Sequence, residues 1–77
     1  MVEAYILIQT DVGKHHRSFP EVDQIQAVVT AEVVTGPFDV IARVAAEDVD
    51  VLAKLAVPKI QAVHGVTRTL TCLVVHL

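Results

Sequence analysis

The chain opens on a short, nearly continuous apolar run, Ala4-Tyr5-Ile6-Leu7-Ile8-Gln9-Thr10, closed by the turn-forming Asp11-Val12-Gly13. A run of that length with that punctuation predicts a strand covered on both faces. Over residues 14–26 the pattern changes period: Phe19, Val22 and Ile25 recur at helical spacing with polar residues between them. Ser18-Phe19-Pro20-Glu21 has the form of a capping box with proline in the first turn, so the helix is expected to break or begin at Ser18. Val28 to Thr35, rich in β-branched residues, predicts a second strand, and Asp39 to Ala45 a third. The short Gly36-Pro37 connection makes these two an antiparallel hairpin. Ala46-Glu47-Asp48 supplies acidic helix-entry residues, and Val49, Leu52, Leu55, Ala56 and Ile60 follow at helical spacing. Pro58 should bend or end that helix, and Gly65, after His64, should stop it. Val66 to Leu77 predicts a long last strand, with Thr67, Thr69 and Thr71 on one side and Arg68, Leu70 and Cys72 on the other.

The order β-α-β-β-α-β follows. Ile25-Gln26-Ala27-Val28 returns as Ile60-Gln61-Ala62-Val63, a step of 35 that also carries the first strand onto the third. Two βαβ halves with right-handed crossovers place both helices on one face of a four-stranded antiparallel sheet, the α+β ferredoxin-like arrangement. The other face is then bare. Its strands lack polar-out alternation, with Tyr5 and Leu7 opposing Ile6 and Ile8. Leu73, Val75 and Leu77 are expected to join that bare face and to meet a partner there. A second copy in a two-fold dimer is the economical cover, ahead of a cofactor or lipid.

Composition agrees with an interface of this kind. At 77 residues the chain has room for one domain, 1–77, yet 53% of it is apolar and only 19% charged. A domain this small buries only roughly 60% of its unfolded surface, so a monomer leaves apolar residues outside. Disorder is excluded. Six basic against nine acidic side chains, with Lys14, Arg17, Arg43, Lys54, Lys59 and Arg68 scattered, argue against a nucleic-acid surface. The single Cys72 fits a reducing compartment. No signal peptide is visible and no apolar run approaches the ~20 residues of a membrane span, so a cytoplasmic location is expected.

Catalytic and metal chemistry find little support. His15 and His16 are adjacent and diverge on a helix, and Cys72 and His76 lie ~13 Å apart along a strand. Neither pair converges on one ion, and no metal or cofactor is proposed. Gly13, Gly36 and Gly65 are isolated, so there is no phosphate loop. One segment stands out: Val33-Val34-Thr35-Gly36-Pro37-Phe38-Asp39-Val40-Ile41. A tight turn with free N–H groups and a nearby carboxylate has the chemistry to hold a small zwitterion. On the plainer reading, Gly36 supplies backbone freedom and the Asp39 side chain caps the turn.

That segment, with Ala31-Glu32-Val33-Val34 before it and Gly65-Val66-Thr67-Arg68-Thr69-Leu70-Thr71 near the end, resembles the effector-binding RAM domain of Lrp/AsnC regulators. The resemblance runs from about Ala4 to Val75. It implies a ferredoxin-like homodimer, a dimeric α+β barrel, assembled further into an octamer or decamer with small effectors, usually amino acids, between dimers. Its turn falls on Gly36, Pro37, Phe38 and Asp39, and its threonine pattern on Thr69 and Thr71. The second half of helix two, from a neighbouring dimer, points to Lys59. Pro20 and Pro58 depart from the family pattern, in which both helices often run unbroken. The chain opens directly on the first strand, so a stand-alone form without the helix-turn-helix is expected.

Three functional readings follow. The first is a non-enzymatic amino-acid sensor, free of direct nucleic-acid or membrane contact, that acts through ligand-sensitive oligomerisation or co-assembly with full-length regulators. The second is a small dimeric α+β-barrel enzyme of the monooxygenase or isomerase kind, which needs a buried His, Asn or Trp cluster. The third is a purely structural oligomerisation module.

Overall fold

In the computed structural model, which describes residues 1–77, four antiparallel strands lie in the order β2-β3-β1-β4. The elements are β1 (Val2–Thr10), α1 (His15–Asp23), β2 (Val28–Val33), β3 (Val40–Ala46), α2 (residues 49–61) and β4 (Val66–Leu73). This is the ferredoxin-like βαββαβ topology. Alternation positions the core: Ala4, Ile6 and Ile8 of β1 and Val40, Ala42, Val44 and Ala46 of β3 all point to the helices and are buried. Val22 of α1, Leu52, Ala56 and Ile60 of α2, and Val63 close over them. Each fully buried branched side chain contributes roughly 1.5–3 kcal/mol. No helix is long and apolar enough to cross a membrane.

Both helices depart from the sequence expectation, each at its proline. α1 neither breaks nor begins at Ser18: it starts at His15 and runs through Pro20. Ser18 is fully buried and its hydroxyl donates to the His64 carbonyl at 2.7 Å, so it joins the α1 side to the turn before β4 and caps nothing. In α2, the Asp48 carboxylate caps the first turn by accepting from the Val51 N–H at 2.8 Å. Pro58 has no N–H, and in a regular helix its ring collides with the carbonyl four residues back. The chain widens instead. Leu52–Ala56 forms a π-helical turn in which the Val57 N–H reaches the Leu52 carbonyl, and α-geometry resumes over Val57–Gln61 with Pro58 in the first turn. The helix ends at Gln61, and Gly65 takes its left-handed conformation, φ +91°, in the turn beyond.

The internal repeat also proves to have a different step. β1 and β3 begin at residues 2 and 40, the helix prolines stand at 20 and 58, and β2 and β4 begin at 28 and 66. Each is a step of 38, not 35. Gln24 donates to the Pro20 carbonyl as Ala62 does to that of Pro58. The repeated Ile-Gln-Ala-Val string does not follow this symmetry, since Ile25 lies in the turn after α1 while Ile60 lies within α2.

The helix-free face carries Tyr5 between Arg43 and Cys72, and Leu7 between Ile41 and Leu70. Leu73, expected here, pairs with Ala4 and therefore points to the helix side, and the strand ends with it. Val75 and Leu77 lie beyond the strand, whose last link to β1 is the Val74 N–H on the Glu3 carbonyl. The apolar centre of the open face is thus Tyr5, Leu7, Ile41 and Leu70.

Candidate functional site

The turn between β2 and β3 is anchored from its last residue. Asp39 donates its N–H to the Ile8 carbonyl at 2.9 Å and accepts from the Val34 N–H at 2.9 Å through its own carbonyl. Its carboxylate oxygen Oδ2 accepts from the Thr10 N–H at 2.9 Å and from the Thr10 hydroxyl at 3.2 Å. Asp39 therefore ties the end of β1 to the start of β3, and its side chain bonds nothing within the Gly36 turn that the sequence expects it to cap. Gly36 differs from expectation. Its φ is not positive, and a Cβ built on it meets nothing within 4 Å. Neither the backbone nor packing within the chain requires a glycine there.

Phe38 meets Arg68, one of the six basic residues scattered along the chain. The Arg68 guanidinium carbon lies 5.9 Å from the Phe38 ring centroid, at the reach of a cation–π contact. The signal for it was register: Arg68 pairs with Gln9 on the open face, next to a bulge at Gln9/Thr10 that hides the alignment from simple counting. Thr69 pairs with Ile8, so Asp39 and Thr69 flank the same residue of β1 from opposite sides. The Thr69 hydroxyl accepts from the Gln61 side-chain amide at 3.2 Å. Thr71 lies one row further along, in a small apolar groove of about 220 Å³ with Leu52, Val57 and Leu73. Phe38 and Arg68 thus meet at one end of the sheet, with exposed Gly36 and Pro37 in the same turn, while Thr69, paired with the buried Ile8, points to the helix side at that end. Lys59 is at the other end, in a groove with Ala27, Ala45 and Glu47, and does not reach that cluster within one chain.

On the open face, Arg43 donates to Glu3 Oε2 from Nε at 3.0 Å and also from Nη2. That hydrogen bond, and then the charge of Glu3, holds the Arg43 pKa above its ordinary value. The His15 and His16 rings meet edge to face with centroids 5.7 Å apart. No three His, Cys, Asp or Glu side chains converge in metal-binding geometry.

Comparison with known proteins places this geometry. The family model described as the Lrp/AsnC ligand binding domain matches residues 3–76. TTHA0845 from Thermus thermophilus is 28% identical over 100% of this chain and 96% of its own, with a TM-score of 0.90. AsnC from E. coli superposes with a TM-score of 0.88 at 21% identity, over 99% of this chain and 52% of its own length. The transcriptional regulator NMB0573 from Neisseria meningitidis, solved as a complex with L-Met, matches with a TM-score of 0.82 at 17% identity, covering 97% of this chain and 50% of that one. The chain thus spans about half the length of those two regulators, and at such identities the likeness shows a shared fold. No curated protein matches significantly. With a family match over nearly its whole length and the ferredoxin-like topology in place, this chain belongs to the Lrp/AsnC ligand-binding domain family.

Proposed function

We propose that this chain is an effector-sensing domain that takes up a free α-amino acid and acts through assembly, without catalysis of its own. Gly36 carries the reading. A glycine that neither its own backbone nor its own chain requires is explained by close approach of something outside the chain, a ligand or a neighbouring copy. The Gly36, Pro37, Phe38 and Asp39 turn offers backbone N–H groups and the second carboxylate oxygen of Asp39, with the Thr69 and Thr71 hydroxyls following on β4. Lys59 enters such a site from a neighbouring dimer. An L-Met complex of the Neisseria regulator supports the choice of amino acids as ligand class.

The unit, residues 1–77, pairs through its open sheet face as a homodimer and builds to an octamer or decamer in the cytoplasm. It co-assembles with full-length Lrp/AsnC regulators and makes no direct contact with nucleic acid. Tyr5, Leu7, Ile41 and Leu70 supply the apolar centre of the pairing face. Calorimetric titration with the common amino acids, L-Met included, combined with light scattering, tests the reading. Saturable binding of one or a few of them, abolished in Gly36→Val with circular dichroism unchanged, is the expected result. A folded oligomer that binds none of them refutes it. The purely structural reading is favoured by one observation, the engagement of Asp39 by Thr10, and predicts that Gly36→Val alters neither binding nor assembly.

A further inference from the structure

We propose that the groove between α2 and the outer edge of β4 binds an extended peptide by strand addition, with the peptide's C-terminal carboxylate at the Gln61 and Arg68 end. The inference does not rest on the effector reading. Thr69 and Thr71 are common to both, so peptide and effector exclude one another along that edge.

β4 is the last strand of the sheet, and one side of its backbone is open. Val74 bonds to Glu3 directly opposite it, and bonded and non-bonded pairs alternate along an antiparallel ladder. Thr69, Thr71 and Leu73 therefore turn their N–H and C=O groups away from β1, towards the free edge. Exposed edges are usually blunted by charge, proline or a bulge. β2, at the far edge, carries Glu32 and a register shift between Val28 and Thr30. From Thr69 to Leu73 the edge of β4 has none of these.

The wall facing this edge is α2. Val49, Ala53, Val57 and Gln61 recur every four residues and line the β4 side. Four-residue steps overshoot an α-helical turn, and the wider turn over Leu52–Ala56 keeps the first three nearer one line. The groove changes character along its length. Beside Thr71 and Leu73 it is apolar, about 220 Å³, with Val49 and Leu73 each about half exposed. Beside Thr67, Arg68 and Thr69 it is polar, about 180 Å³. No acidic side chain lines either stretch.

The polar end is a receptor for negative charge. Thr69 accepts from the Gln61 amide, so its own hydroxyl hydrogen remains to be donated, as does the second amide hydrogen of Gln61. Arg68 makes no ion pair, and its contact with Phe38 at 5.9 Å is near the limit of a cation–π interaction. A carboxylate satisfies these donors, and a guanidinium holds it well. The apolar stretch lies towards Leu73, so a chain ending at Arg68 runs antiparallel to β4. A free amino acid covers only part of the ~13 Å of strand from Thr69 to Leu73. A peptide in strand conformation covers all of it, pairing with the open backbone and seating alternate side chains against Val57, Ala53 and Val49.

Titration with acetyl-Val-Thr-Val-Thr-Ala, as the free acid and as the C-terminal amide, tests the proposal in the absence of amino acids. The acid should bind about tenfold more tightly than the amide, and Arg68→Gln should remove that difference while leaving the amide unchanged. Ala53→Glu, at an exposed position in the apolar stretch, should abolish binding of both with circular dichroism unchanged. Bound peptide should slow amide hydrogen exchange at Thr69 and Thr71. Failure of the acid to bind, equal affinity for acid and amide, or unchanged exchange at those two amides overturns the proposal. So does exchange that is already slow without peptide and quickens on dilution, because a second copy then occupies the edge.

Discussion

Gly65 is where one added methyl group meets the most resistance. Its φ is +91°, and a Cβ there falls 2.8 Å from Ser18 Oγ and 3.0 Å from Lys14 Cβ. The Ser18 hydroxyl has no room to yield: the residue is fully buried and donates to the His64 carbonyl at 2.7 Å. The Gly65 carbonyl is itself held by the Asp11 N–H at 2.8 Å, so the turn resists rotation as well. Gly65→Ala therefore incurs ~1–2 kcal/mol for a left-handed L-residue. Displacing the buried hydroxyl from its acceptor adds ~1–3 kcal/mol. The total, roughly 2–5 kcal/mol, corresponds to a fall in Tm on the order of 10–30 °C for a domain this size. Thermal and urea unfolding at one fixed protein concentration measure it, since assembly makes apparent stability concentration-dependent. Ser18→Ala removes the atom in closest conflict, so the same Gly65→Ala change should cost ~1 kcal/mol less in that background. A Gly65→Ala protein within ~0.5 kcal/mol of wild type, or strict additivity with Ser18→Ala, refutes the steric account.

Three further outcomes are expected. Asp39→Ala leaves the buried Thr10 without its charged acceptor and should lose ~1.5–3 kcal/mol in urea unfolding, whereas Asp39→Asn, which keeps an acceptor oxygen, should lose less. Asp48→Ala removes the cap on α2 and should cost about 1 kcal/mol, while Asp48→Ser should stay within a few tenths of wild type in the same assay. Arg43 has a raised pKa, first through its hydrogen bond with Glu3 and then through that group's charge. A raised cation stabilises the fold at every pH below its unfolded value and loses that contribution only as pH climbs through the folded value, beyond the ordinary range for Arg. The Tm difference between wild type and Arg43→Gln should therefore be flat from about pH 7 to about pH 10, and a clear slope across that window counts against this reading.

Much of the site could be read from local pattern. The alternation in β1 and β3 assigns Ile6, Ile8, Val40 and Val44 to the core because side-chain direction in a strand has period two whatever the strand pairs with. The Gly36–Asp39 turn announced itself through turn chemistry, but the Asp39 carboxylate bonds Thr10 of β1 and not the turn it is expected to cap. Arg68 was not legible, because its contact with Phe38 depends on the β1–β4 register and a bulge within it. Ser18 misled for a related reason. The string Ser-Phe-Pro-Glu matches a helix start, but the same serine, with a carbonyl of the second half 46 positions away to bond, is more useful buried in mid-helix.

Local composition thus settled the element order, the faces of the inner strands and the family, since each rests on periodicity or on a contiguous motif. Pairing across the chain decided the rest. Leu73 went to the helix side because Ala4 is its partner, and the repeat took a step of 38 because the two halves superpose by hydrogen-bonded turns and not by shared letters. Pro58 produced a π-turn where an interruption was expected, because the buried Leu52, Ala56 and Ile60 hold the helix on the sheet on both sides of it. Losing a hydrogen bond and widening a turn cost less than exposing those three side chains.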